Sequence, residues 1–209
     1  MRSVAFNGAQ VTPCKVVCIG RNYVEHIEEL GNEIPEAMVV FTKPNSAISE
    51  TLCYFTPHTR FEGEICFLIR SGRIAGVGFG LDLTHAPIQE QLKTKGLPWE
   101  RAKAFDGSAV LSEFVAFDGD VNALRMTLTH NDRIVQSGGV ELMIYKPQTI
   151  LDEIQRFMTL QDDDIVMSGT PKGVGTYATG DRFTGRIYEG DRLLLEASWM
   201  VRNEPSLLR

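Results

Sequence analysis

Arg60–Arg70 reads RFEGEICFLIR, and the fold turns on how this stretch is read. In a strand, residues two apart point to the same face, so Glu62 and Glu64 would sit side by side at the mouth of the apolar run Ile65–Ile69. Like charges placed there repel each other and cost stability. The spacing predicts a strand over Glu64–Ile69, a turn at Ser71-Gly72 and a glycine-studded strand over Ile74–Leu83. Asp82 falls at the end of that second strand, in the apolar setting GFGLDL, where a buried charge is expensive unless compensated. If the two strands are neighbours, three carboxylates converge. A divalent cation relieves that repulsion, and a small all-oxygen site suits Mg2+ or Mn2+.

Outward from this hairpin the pattern stays strand-rich. Strands are expected at Lys15–Ile19, Val39–Thr42, Ile165–Met167 and along Ile187–Met200, with turns at Gly180-Asp181 and Gly190-Asp191. Met126–Asn131 and Ile134–Ser137 read as a second hairpin. Helices are expected at Tyr23–Leu30 with a Gly31-Asn32 stop, at Ile88–Lys95, and at Thr149–Met158, where Ile150, Ile154, Phe157 and Met158 share a face. No regular βαβ alternation appears, which argues for an α+β class and against a Rossmann-type sheet. The 209 residues read as one catalytic domain spanning 1–209, with a short N-terminal extension over 1–14.

A net charge of −6 offers no basic stripe for nucleic acid, and no apolar run reaches the length of a membrane span. Cys14, Cys18, Cys53 and Cys66 read as small core thiols in a reducing, cytoplasmic setting, because no secretory segment precedes them. Gly76-x-Gly78-x-Gly80 has the wrong spacing for a dinucleotide fingerprint. The segment GTPKGVG, residues 169–175, lacks the ending of a phosphate-binding Walker loop.

Glu62-x-Glu64 is followed by Asp82 in GLDLT, then Lys103-Ala-Phe105-Asp106, then Ser168-Gly169-Thr170-Pro171-x-Gly173-Val174-Gly175. With the opening GRNYVEHIEELG and the FTKPNSAI stretch, this order resembles the fumarylacetoacetate hydrolase family from about Lys15 to Arg192. The resemblance implies a mixed β-roll of the family's C-terminal domain type, a homodimer, and one Mg2+ or Mn2+ per chain on Glu62, Glu64 and Asp82. It also implies a small 2-oxo acid as substrate. Acylpyruvate hydrolysis through a stabilised enolate comes first, with oxaloacetate tautomerisation or decarboxylation, or isomerisation of 2-hydroxyhepta-2,4-diene-1,7-dioate, as alternatives. A non-catalytic sensor of 2-oxo acid or metal is the reading outside enzymology.

By the same resemblance Lys103 faces the substrate and holds enolate charge, although LPWERAKAFD reads as an exposed loop. His26 and Glu29 stand at i and i+3 on the expected helix. On spacing alone they are a solvated pair; by resemblance they form a dyad on a lid, with Glu29 orienting His26 to activate water. Thr170 is implied to bind the substrate carboxylate through its hydroxyl and neighbouring N–H groups. Gln89 and Lys43 are implied to line the pocket, and Arg21 to meet a distal carboxylate. One departure stands out. Where many relatives read Thr-Ala-Arg-Asp-x-Gln, this chain reads Thr84-His85-Ala86-Pro87-Ile88-Gln89, without the arginine's bidentate clamp.

Overall fold

A computed structural model of the chain describes residues 1–31 and 33–203. The Gly63–Arg70 and Arg73–Asp82 strands pair antiparallel across a tight turn in which Ser71 and Gly72 both take positive φ. That turn twists with its strands, which is why a two-residue connection suffices. The hairpin is the middle of a mixed sheet. Ile165–Met167 lies beside Gly63–Arg70, followed outward by Lys15–Gly20 and Val39–Pro44; Ala109–Leu111 and Ile48–Ser49 extend the other side.

Both faces of this sheet are covered, so its central strands are apolar throughout rather than alternating. Ile65, Phe67 and Phe79 point one way, into a core shared with Leu128, Phe183 and Ile187 of a second, four-stranded antiparallel sheet. Cys66, Leu68 and Met167 point the other way, against Phe114, Val4 and Phe6. Parity then places the acids. Glu64 faces Gly80 across the ladder, and Asp82 N–H donates to Glu62 O at 2.8 Å. Glu62, Glu64 and Asp82 therefore emerge on one face, at the end of the sheet.

The glycines on that face have a packing reason. A Cβ on Gly80 would stand 2.6 Å from Cys66 Sγ and 3.0 Å from Met167 Cε. Any side chain there would collide with these packed side chains on the acid-bearing face of the sheet. The described residues hold four α-helices: α1 over Val24–Glu29, α2 over Ala86–Thr94, α3 over Glu100–Lys103 and α4 over Pro147–Gln155. The apolar face of α4, Ile150, Leu151 and Ile154, is sealed into the main core.

Several expectations shift. The helix expected over Thr149–Met158 begins two residues earlier, at Pro147, whose ring suits the first turn, and ends at Gln155. Phe157 therefore leaves the apolar face and is exposed. The α2 helix likewise starts early, with Pro87 in its first turn. Cys14 is exposed and Cys53 half-buried, so only Cys18 and Cys66 are the core thiols expected. Asn32 of the expected helix stop lies outside the described residues. No helix among them is long and apolar enough to cross a membrane.

Candidate active site

One carboxylate oxygen from each of Glu62, Glu64 and Asp82 lies within 4.8 Å of the others. Each acid is held by different partners. Glu64 Oε2 accepts the Gly169 N–H at 2.6 Å. Gly169 takes φ +100, and a Cβ there would meet Asn22, so the loop can bring its N–H close only as glycine. Glu62 Oε1 accepts the Thr84 hydroxyl at 2.6 Å. Lys103, the last residue of α3, donates to Glu62 Oε2 at 2.8 Å and to Asp82 Oδ2 at 2.7 Å. Lys43 Nζ stands 2.8 Å from Asp82 Oδ1. That contact is an ion pair by distance without hydrogen-bond alignment, and Asp82 Oδ1 is left with no donor.

The charges follow from these contacts. Burial pushes the Glu64 carboxyl well above the usual carboxylate range, and the charges of Asp82 and Glu62 push it further. Burial also works against Glu62, yet the Lys103 ammonium, with lesser help from His26, outweighs it and holds the pKa down to about 2. For Lys103 the sign reverses: burial disfavours the ammonium, but Asp82 and Glu62 raise its pKa and keep it charged. An all-oxygen trio, with one buried oxygen lacking a donor, fits a hard divalent cation. Glu62, Glu64 and Asp82 are the residues that could hold it.

Above the acids lies a tight cleft of about 30 Å³. Arg21, His26, Gln89, Lys103 and Thr170 line it, as do Phe41, Lys93 and Trp99. The α1 helix forms its roof. His26 Nδ1 is 3.3 Å from Glu29 Oε2, and both Glu29 oxygens accept the Gly173 N–H, at 3.0 and 3.2 Å. His26 is buried, unlike the solvated pair that spacing alone suggested.

Three expected residues stand differently from their reading. Lys103 is not on an exposed loop: LPWERAKAFD contains α3, which buries the side chain. Lys43 lies beneath the acids, not along the cleft wall; its ammonium donates to Lys103 O, to Ser108 O at 3.1 Å and to Ser108 Oγ at 3.0 Å. Its place is to hold Asp82. The Thr170 hydroxyl donates to Gly63 O at 2.8 Å and accepts from Gln136 Nε2 at 2.8 Å. Its proton goes to the backbone here, and the residue still lines the cleft.

Sequence reading missed the residues that brace this arrangement. Asn22 donates to Ser168 O at 2.8 Å and to Tyr145 O at 3.0 Å, locking the start of α1 to the Gly169 loop. Gln136 accepts the Gly63 N–H at 2.8 Å while bonding Thr170 and Pro171, so it clamps the acid strand to the same loop. Both are fully buried amides whose partners lie far away in the chain, and no local spacing signals them.

Residues 15–203 match the family model described as fumarylacetoacetate (FAA) hydrolase C-terminal. Oxaloacetate tautomerase YcgM of Escherichia coli is 37% identical over 189 residues, 81% of this chain and 86% of the relative. Human mitochondrial oxaloacetate tautomerase FAHD1 is 30% identical over 191 residues, 83% of this chain and 86% of its own length. Among solved structures, fumarylpyruvate hydrolase from Pseudomonas aeruginosa, in complex with Mn2+ and pyruvate, superposes with a TM-score of 0.88 at 28% identity. The match covers 97% of this chain and 96% of that one. A fumarylacetoacetate isomerase/hydrolase-type structure from Oleispira antarctica reaches 0.89 at 35% identity, over 96% of this chain and 100% of that one. The strand-rich β-roll and the matched span agree, and the chain belongs to the fumarylacetoacetate hydrolase family, as an enzyme of it.

Proposed function

We propose that this chain is a divalent-metal-dependent enzyme of small 2-oxo acids whose reaction is the keto–enol tautomerisation of oxaloacetate. The observation that carries the reading is Lys103 Nζ, 2.8 and 2.7 Å from two of three converging acids at the floor of a narrow cleft. The tautomerase names of the E. coli and human relatives support it. A Mg2+ or Mn2+ ion on Glu62, Glu64 and Asp82 would supply Lewis-acid stabilisation of the negative charge that enolisation builds on a keto oxygen.

The rest is the work of the chain's own groups. Lys103, kept charged by Asp82 and Glu62, donates a hydrogen bond to the developing enolate oxygen and can hand it a proton. A water molecule takes the proton as the C3–H bond of oxaloacetate breaks, the enolate oxygen takes a proton from Lys103 to form the O–H bond, and the protonated water returns its proton to the lysine. Phe41, Trp99 and Ile27 keep bulk water from the cleft, which strengthens each of these charge interactions. The tightness of the space favours a short acid.

Acylpyruvate hydrolysis is the second reading, and the His26–Glu29 contact is what favours it. There His26 takes a proton from water, the hydroxide adds to the distal carbonyl, and the C–C bond breaks. Pyruvate enolate leaves and is protonated to pyruvate. His26→Ala separates the two. We expect it to cut acetylpyruvate cleavage about a hundredfold or more, the usual worth of a general base, while oxaloacetate tautomerisation, followed by the enol's ultraviolet absorbance, stays within about threefold. Equal losses in both would remove the dyad from hydrolysis. No turnover of either acid by Mn2+-loaded protein would leave the sensor.

Metal affinity should also depend on pH. Because Glu64 keeps its proton above the ordinary carboxylate range, a cation must displace that proton to bind. Affinity for Mn2+ is therefore expected to rise as the pH climbs above the ordinary carboxylate range, levelling once Glu64 is ionised beforehand. Calorimetry in buffers of different ionisation enthalpy reads the released proton directly; a pH-independent constant with no release would contradict the assignment.

A further inference from the structure

The cleft has two signs. Its floor is the three acids, but its rim carries Arg21 and Lys93. Lys93 sits on α2 one turn after Gln89, on the same helix face, and both side chains line the cleft. Its stem is half-buried. Its ammonium lies 5.2 Å over the Trp99 ring, Trp99 packs 5.8 Å from Phe41, and Lys103 Nζ lies 5.2 Å over the Phe41 ring. Two ammonium groups thus flank one aromatic wall.

The other lysines buried against the fold have oxygen partners: Lys15 on Asp164, Lys43 on Asp82, Lys103 on two acids, Lys146 on backbone carbonyls. Among the described residues no carboxylate lies within ion-pair distance of Lys93. Burial above all, then repulsion from Arg21, Lys103 and Arg60, holds its ammonium below the usual pKa, against the opposing charge of Glu62. Like charges gathered at the lip of a cavity are relieved by an anion, as gathered carboxylates are by a cation.

We infer that the rim is a second anion subsite, in which Lys93 together with Arg21 receives a carboxylate at the far end of the 2-oxo acid. Lys93 is then what sets the preference for a diacid over an acid with a neutral tail. The inference rests on the proposed function for the identity of the near end, which the acids and Lys103 would hold. A charge-assisted hydrogen bond of this kind is worth roughly tenfold to a hundredfold in affinity.

The test compares Lys93→Met, which keeps the stem over Trp99, with Lys93→Arg, which keeps the charge. In Mn2+-loaded enzyme, the ratio of kcat/KM for oxaloacetate to that for acetylpyruvate should fall about tenfold or more in Lys93→Met and return to within about threefold in Lys93→Arg. Equilibrium binding of 2-oxoglutarate against 2-oxopentanoate, which differ in the distal carboxylate, should lose its preference in the same variant. An unchanged ratio, or an equal fall for both substrates, would overturn the subsite, as would an unchanged binding preference. If the Met variant fails to fold by circular dichroism, Lys93→Gln takes its place. Should neither acid be turned over, the proposed function fails, and the binding pair still decides the rim.

Discussion

Asp82→Asn is expected to lose its metal and a large part of its stability together. The carboxylate is fully buried between two ammonium groups, Lys43 on one oxygen and Lys103 on the other. The amide is nearly the same shape but carries no charge. Lys43, with no accessible surface, is then left without its counter-ion, and removing one partner of a buried pair costs about 3–5 kcal/mol. The same change takes one anionic oxygen from the acid trio, so Mn2+ affinity should fall about a hundredfold or more, beyond what outer-shell changes cost. Urea unfolding with and without Mn2+ reads both effects at once. Wild-type protein should gain about 2.7 kcal/mol when Mn2+ is present at a hundred times its dissociation constant, and the variant should gain almost nothing. Normal stability in the metal-free variant would mean that Lys43 and Asp82 do not depend on each other.

Lys103→Met should separate chemistry from cation binding. Its ammonium is hydrogen-bonded to Glu62 and Asp82, two of the three acids that would hold a cation. Removing it takes away a competitor, so Mn2+ should bind at least as tightly as in wild type. Glu62 loses the main influence that holds its pKa near 2, and its carboxyl should titrate higher in the metal-free protein. The enolate, however, loses its donor, and turnover of oxaloacetate should fall about 10²- to 10³-fold, the cost of deleting one donor aimed at developing charge. Isothermal titration with Mn2+ beside steady-state kinetics decides it. Loss of metal binding along with activity would make Lys103 a structural counter-ion only.

How much of this could be read beforehand depended on whether the signal was local. The central hairpin was legible because a period of two and a Ser-Gly turn are short-range features. From them the convergence of Glu62, Glu64 and Asp82 followed by parity. The α3 helix was not legible. WERAK is one turn long, too short for periodicity to speak, and its polar residues hid the burial of Lys103. Lys43 was expected at the pocket surface; nothing in FTKPNSAI says that its ammonium turns inward to Asp82 and Ser108. Asn22 and Gln136 work through partners more than a hundred residues away for Asn22, and across both sheets for Gln136, so only the assembled fold shows them. Lys93 drew no reading from the sequence, because its place at the rim shows only once α2 is set beside Trp99 and the cleft.

The grip of Glu29 on Gly173 N–H has a mechanical meaning. One carboxylate both bonds the glycine loop and meets the His26 imidazole, so in the hydrolytic reading any displacement of α1 from that loop would also part the histidine from its acidic partner.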